Sequence, residues 1–321
     1  MLRLALFLLA LTAAAQTLPP MHWGDPARRG KPFAKDPSVI RFQGRYLLYY
    51  SMQSFGDRRP NDGWAIGIAE SANLIDWHKV GEILPEQEVE RNGLVNGRVI
   101  LLDGKLHLFY NSYGNGPKDA VCHAVSTDGL HFTRDPSNPI LRAQGAWNSG
   151  RAIDVDVLEL NGKLNLYFAT RDQSSKIQML ALATSPLHSG FGRDTWTQYM
   201  DGPVLKPELP WETNCIEAPS LVKRGRDLYL FYGGGYNNDP QQIGCARSRD
   251  GIHWQRLFVK APLVPNGPPG SWNASESGHP GYFRDEDGKE YLFYQGNGDK
   301  GQTWYLSWLR LGWKNGAPFV R

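Results

Sequence analysis

Short strand-like runs of alternating apolar and polar residues, each closed by a glycine turn and an aromatic strand, recur five times along this 321-residue chain. The first four read Asp36-PSVIRFQ-Gly44-RYLLYY, Asn96-GRVILLD-Gly104-KLHLFY, Asp154-VDVLELN-Gly162-KLNLYF and Glu217-APSLVKR-Gly225-RDLYLFY. The fifth, His279-PGYFRDED-Gly288-KEYLFY, has one extra residue before its glycine. Spacings of 60, 58, 63 and 63 residues between the turn glycines set a period near 60. Each repeat runs on into a third strand: WAIGIAES, AVCHAVS, IQMLALATS, QIGCARS and TWYLSWL. In four repeats an apolar pair follows: Ile83-Leu84, Ile140-Leu141, Val204-Leu205 and Leu263-Val264. Period-two runs bounded by Gly, Asn and Asp turns predict about four strands per unit, and helix signals are nearly absent.

Four-stranded units repeated at this scale are the mark of a β-propeller, whose blades pack radially around a channel. Five repeats predict an all-β, five-bladed propeller. No linker or composition break divides it, so residues 16–321 read as one domain. Ring closure is expected from the segment Met21–Trp23 or from a C-terminal strand near Leu311–Val320. A six-bladed sialidase type is set aside, because Ser248-RDGIH-Trp254 is one residue shorter than its Ser-x-Asp-x-Gly-x-x-Trp box.

The N-terminus adds an address. Met1-Leu2-Arg3, an apolar run over Leu4–Leu11 and Ala13-Ala14-Ala15-Gln16 read as a signal peptide over 1–15, cut after Ala15. The run is too short to span a bilayer, so a secreted or periplasmic protein without a membrane partner is expected. A formal charge of +3 with no Lys/Arg run argues against nucleic acid. Three cysteines allow at most one disulfide; Cys215 and Cys245 either pair or stay as buried thiols. The 11 Trp and 14 Tyr suit sugar stacking, but β-core packing accounts for most of them.

The residue that opens each repeat changes the picture most: Asp36, Asn96, Asp154, Glu217 and His279. In a propeller the first strand of every blade lines the channel, so these five converge on one mouth. Each alone fits a turn opener or strand end. Together, three carboxylates and a histidine at one repeat phase exceed what turn chemistry needs. Clustered carboxylates drive their pKa values apart, which leaves one as base and another as acid. Two such groups flanking an acetal are what glycoside hydrolysis requires.

These residues resemble glycoside hydrolase family 43, five-bladed propellers that cleave arabinofuranosides and xylosides with inversion. The resemblance rests on Lys35-Asp36-Pro37-Ser38, Ile153-Asp154, Glu217-Ala218-Pro219 and Gly278-His279, spaced by 118, 63 and 62 residues between the named Asp, Asp, Glu and His. It implies Asp36 as general base, Glu217 as general acid and Asp154 as the residue that orients Glu217 and keeps its pKa high. His279 corresponds to an axial histidine that holds calcium or water in the channel, so a structural calcium is a candidate cofactor and none is required. Asp156, two residues on, competes with Asp154 for the third role, although the eight-residue spacing to the turn glycine favours Asp154. The blade-five strand Tyr294-Gln295-Gly296-Asn297 lacks the His or Arg that many relatives place there.

The substrate-binding candidates are Asn96, His279, Arg151, which reads equally as a surface ion pair, and Trp272, a stacking floor in a Gly/Pro-rich loop; Trp147 reads as core. The expected protein is a monomer acting on a poly- or oligosaccharide. The alternatives are a family 117-like neoagarooligosaccharide hydrolase with a histidine acid, and a non-catalytic glycan-binding propeller. A family 32 fructosidase fits less well, because its Asp lies in an Asn-Asp-Pro-Asn context.

Overall fold

A computed structural model describes residues 18–321 except 58, 60 and 61. The expected leader over 1–15 and its cut site lie outside the described residues. Five antiparallel four-stranded sheets follow in chain order, each a simple meander. Blade one comprises β1 Lys35–Phe42, β2 Arg45–Met52, β3 Ala65–Ser71 and β4 His78–Ile83. Blade two comprises β5 Leu94–Leu102, β6 Lys105–Ser112, β7 Val121–Ser126 and β8 Thr133–Arg134. Blade three holds β9 Ile153–Leu160, β10 Lys163–Arg171, β11 Gln178–Pro186 and β12 Thr197–Gln198. Blade four holds β13 Ile216–Arg224, β14 Asp227–Gly234, β15 Gln242–Ser248 and β16 Gln255–Arg256. Blade five holds β17 Glu276–Arg284, β18 Glu290–Asn297, β19 Tyr305–Lys314 and β20 Ala317–Val320.

The turn glycines work as the pattern predicts. Gln43-Gly44, Asp103-Gly104 and Asn161-Gly162 have positive φ at both residues, the two-residue hairpin geometry that matches strand twist. Between blades, five apolar clusters fill the five interfaces, including the one that joins blade five to blade one. The second strands supply the bulk: Tyr49, Tyr110, Tyr167 and Tyr232 are all fully buried. Burial of each such ring contributes roughly 1.5–3 kcal/mol. Their hydroxyls find partners: Tyr49 and Tyr167 donate to the carbonyls of Gly129 and Gly251 in the next blade, at 2.8 and 2.7 Å.

Both candidate closing segments are used, one after the other along the outer edge of β19. Trp23 pairs backbone-to-backbone with Leu306 of β19 (3.1 and 2.7 Å), while β20 forms the outer strand of the same blade. The Trp23 bridge occupies the place that the apolar pairs take in blades two to four, as in Val121–Leu141, Leu180–Leu205 and Ile243–Val264. The N-terminal segment thus completes the last blade. Cys122, Cys215 and Cys245 are all free, buried thiols. Cys215 precedes the inner strand β13, while Cys245 faces the blade-four/five core from β15, so the alternative of a Cys215–Cys245 disulfide is not adopted. No helix among the described residues is long and apolar enough to cross a membrane.

Candidate active site at the channel mouth

Every inner strand carries a bulge near its start, with a left-handed residue inside it: Asp36 (φ 55°), Asn96 (55°), Asp154 (51°), Ala218 (50°) and His279 (45°). Bulges re-aim side chains, and a non-glycine residue in this region costs on the order of 1–3 kcal/mol unless its surroundings hold it. Four of these N–H groups are held by the preceding blade. Asp36 donates to Gln295 Oε1 (3.0 Å), Asn96 to Ser51 Oγ (2.9 Å), Asp154 to Asn111 Oδ1 (3.0 Å) and His279 to Gln241 Oε1 (3.2 Å).

Blade four breaks the expected phase. Its bulge residue is Ala218, so Glu217 stands one position earlier than Asp36, Asp154 and His279. The eight-residue spacing to the glycine survives because two shifts cancel. In blade four Arg224 pairs with Asp227, which makes Gly225 the first turn residue; in blade one Phe42 pairs with Arg45 and Gly44 is the second. The register equivalent of Glu217 in blade one is Lys35, and Lys35 does line the pocket.

Asp36, Asp154, Glu217 and His279 meet in a cavity of about 260 Å³ at the mouth. All four are buried. His279 spans two of the carboxylates: Nδ1 lies 2.6 Å from Asp36 Oδ1, in an ion pair too bent to be a hydrogen bond, and Nε2 lies 3.1 Å from Glu217 Oε1. Burial alone would discharge the ring, but Asp36 and Glu217 outweigh it and hold the imidazolium well above its ordinary pKa. Burial likewise pushes the Asp36 carboxyl up; His279, Lys35 and Ser51 reverse this and hold it at about 2.

Asp154 and Glu217 diverge. Burial and the neighbouring Glu217 charge push Asp154 up to about 7. Burial also raises Glu217, but hydrogen bonds and charge from His279, with Gln241 and Lys35, bring it below its ordinary value. Gln241 Nε2 donates to Glu217 Oε1 at 2.6 Å, and Gln178 Nε2 donates to Oε2. Asp154 and Glu217 therefore titrate as a pair, and the proton they hold is shared between them. The donors around Glu217 favour its charged form, while a charge on the adjacent Asp154 opposes it.

The family model for glycosyl hydrolases family 43 matches residues 30–317. The chain belongs to glycosyl hydrolase family 43. Among individual relatives, a 1,2-β-oligomannan phosphorylase from Thermoanaerobacter sp. strain X514 is 24% identical over 212 residues, covering 62% of this chain and 64% of its own length. A raffinose invertase from Escherichia coli is 23% identical over 317 residues, covering 94% of this chain and 58% of its own. This chain therefore spans less than two thirds of either relative. In fold it resembles a thermostable family-43 glycoside hydrolase (TM-score 0.70, 19% identity, 90% of this chain and 92% of that one). It also resembles an endo-1,4-β-xylanase from Bacteroides thetaiotaomicron (TM-score 0.67, 19% identity, 90% and 94%).

The remaining candidates of this family 43 chain separate cleanly. Asp156 lies one ring deeper. Its Oδ1 is 2.5 Å from Arg98 Nε and its Oδ2 accepts from Leu221 N at 2.6 Å, which braces blades two, three and four. Ser38 and Ser220 do the same at the equivalent register, accepting from Val99 N and Tyr282 N. The bulge between Ile153 and Asp156 breaks the strand alternation, so Asp154 and Asp156 do not share a destination. Asn96 occupies the blade-two bulge but stays outside the pocket lining, where Val95 takes its place. Arg151 lines the pocket and is paired with Asp119 at 3.1 Å, an ion pair that is largely buried rather than on the surface.

Trp272 does not line the mouth. Its ring turns inward beneath β18, against Tyr294 and edge-on to His22, and a Cβ at Gly296 would lie 2.6 Å from it. The glycine leaves a hollow that the ring fills, so it forms no floor at the mouth. Trp147 packs against the blade-two/three core. The aromatic wall comes instead from Trp64, Tyr113 and Tyr236, with Arg171, Gln178 and Asn237 between them. These residues end or follow a second strand, or open or precede a third. In a meander those ends share an edge with the start of the first strand, a signal that the opening positions alone do not carry.

A calcium site on His279 does not fit this arrangement. One ligand atom each of Asp154, Glu217 and His279 lies within 4.8 Å of the others. Both nitrogens of the ring, however, face carboxylates at contact distance, and the ring is held as a cation with no free lone pair. Calcium takes oxygen ligands, and the imidazolium already supplies the positive charge that would balance them.

Proposed function

We propose that this chain hydrolyses a glycosidic bond of a poly- or oligosaccharide with inversion, with Asp36 as base and Glu217 as the residue that delivers the acid proton. One observation carries the reading: the Asp36 and Glu217 carboxylates face one small pocket, separated by the width of the His279 ring, with a protonatable Asp154 beside Glu217. Inverting enzymes hold their two carboxyl groups roughly 6.5–9.5 Å apart, which leaves room for a water. Asp36, ionised at any ordinary pH, takes a proton from that water as its oxygen attacks the anomeric carbon. The bond to the leaving oxygen breaks, and that oxygen takes the proton of the Asp154–Glu217 pair through Glu217.

The pair behaves as one acid with a shared proton. A sugar oxygen that recruits the amide donors of Gln178 and Asn237 strips them from Glu217 and draws the proton across from Asp154. The resting lowered pKa of Glu217 is thus compatible with its role. A histidine acid of the family 117 kind is disfavoured, because both nitrogens of His279 are committed to carboxylates. Export through the 1–15 leader, action as a monomer and a substrate of arabinofuranoside or xyloside type belong to the same proposal.

The test is a panel of aryl glycosides and plant or microbial oligosaccharides with the product anomer followed by NMR. Inversion of a cleaved member supports the reading. Retention overturns the Asp36 role, and sugar binding without cleavage of any member favours a glycan-binding propeller.

A further inference from the structure

Arg171 ends β10 at the mouth, and its guanidinium lines the pocket. Its Nε donates to Gln178 Oε1 at 2.9 Å, and its guanidinium carbon sits 5.5 Å from the centre of the Tyr236 ring. Among the described residues no carboxylate pairs with it, and its two terminal nitrogens have no hydrogen-bond partner. A guanidinium whose terminal N–H groups face a pocket without a protein partner is open to an anion, and its planar fork matches a carboxylate.

The position of Arg171 relative to the chemistry is set by one amide. Gln178 accepts from Arg171 and donates to Glu217 Oε2. A group bound by Arg171 is therefore beside the residue that protonates the leaving oxygen. Arg151 stands next to it, and together they separate the central pocket from an adjoining compartment of about 150 Å³ lined by Gly116, Pro117, Ser149 and Ser175. Arg151 is neutralised by Asp119, which leaves Arg171 as the free cation of that wall.

We propose that the leaving-group sugar carries a carboxylate: the substrate is an acidic glycan with a uronic acid on the far side of the scissile bond, read by the fork of Arg171. The inference rests on Glu217 being the proton donor. It makes the pocket selective by charge, because a neutral sugar would leave the guanidinium without a partner.

The experiment measures binding to D36N, so that turnover does not intervene. Methyl glucuronide and methyl galacturonide are compared with the corresponding neutral methyl hexosides by titration calorimetry or NMR. The uronides are expected to bind at least tenfold tighter, about 1.4 kcal/mol. Adding Arg171→Gln is expected to bring the uronide affinities down to those of the neutral sugars, with the unfolding midpoint unchanged. Equal affinity for acid and neutral sugars overturns the proposal, as does a preference that survives Arg171→Gln. Tighter binding of glucose 6-sulfate than of the uronides overturns the carboxylate assignment. Inorganic phosphate that competes at Arg171 and yields a glycosyl phosphate with the wild type makes the cation a phosphate site instead. Failure of the hydrolytic reading shows separately, as D36N retaining wild-type turnover.

Discussion

His279 Nδ1 lies 2.6 Å from Asp36 Oδ1, and this buried ion pair keeps a carboxylate charged inside the propeller. The Asp36 carboxyl is held at about 2, below its unfolded value, so it remains a base throughout the ordinary pH range. Replacing the ring by His279→Gln removes the cation while burial and the Glu217 charge remain. The Asp36 pKa then rises, and an acid limb absent from the wild type appears in the pH–kcat/KM profile above pH 4. A profile of unchanged shape in H279Q would show that the ring does not set the base.

The Asp154–Glu217 pair should govern the alkaline side. Asp154 stands at about 7, so the proton that the pair holds is lost as pH rises through that value. Wild-type kcat/KM is expected to fall tenfold per pH unit above about 7. In D154N the repulsion that sustains the shared proton is gone, and Glu217, already below its ordinary value, keeps none near neutrality. The limb should move to lower pH, with at least a tenfold loss at pH 7. A limb that stays in place would assign it to another group.

Asp156 should respond differently from Asp154 despite its proximity in sequence. Asp156→Asn leaves Arg98 buried without its partner, and breaking such a pair costs about 3–5 kcal/mol. The expected result is a lower denaturation midpoint with residual activity per folded molecule. If D156N abolished turnover at full stability, the assignment of the two aspartates would be reversed.

Chelation offers a further check. With the imidazolium providing the central positive charge, EDTA dialysis is expected to leave both kcat/KM and the unfolding temperature unchanged. Loss of either, restored by added calcium, would require the His279 ring to turn away from Asp36.

Much of this was readable from residues alone, and the exceptions have physical causes. The glycine period exposed five blades because two-residue hairpins demand positive φ at fixed points. The same ruler misplaced Glu217 by one position, because the blade-four turn puts its glycine first and the bulge absorbs the difference. It also hid Lys35, the true register partner of Glu217, behind the more conspicuous Asp36. Asp154 and Asp156 looked equivalent by strand alternation, which holds only where no bulge intervenes. Trp272 sits in a loop whose composition suggests exposure, yet the space above Gly296 draws the ring inward. Arg171, Gln178 and Tyr236 reach the mouth from strand ends whose register depends on tertiary pairing, so no local pattern announced them.

The most direct test of the central claim compares D36N and E217Q on two substrates that share a glycone but differ in leaving group. An oligosaccharide needs its leaving oxygen protonated, whereas an activated dinitrophenyl glycoside does not. General acid–base groups each contribute about 10²–10⁴-fold. E217Q should lose that much on the oligosaccharide and recover most of it on the dinitrophenyl glycoside, while D36N stays impaired on both. Equal losses for E217Q on the two substrates, or wild-type rates for either variant, would contradict the assignment of Asp36 as base and Glu217 as proton donor.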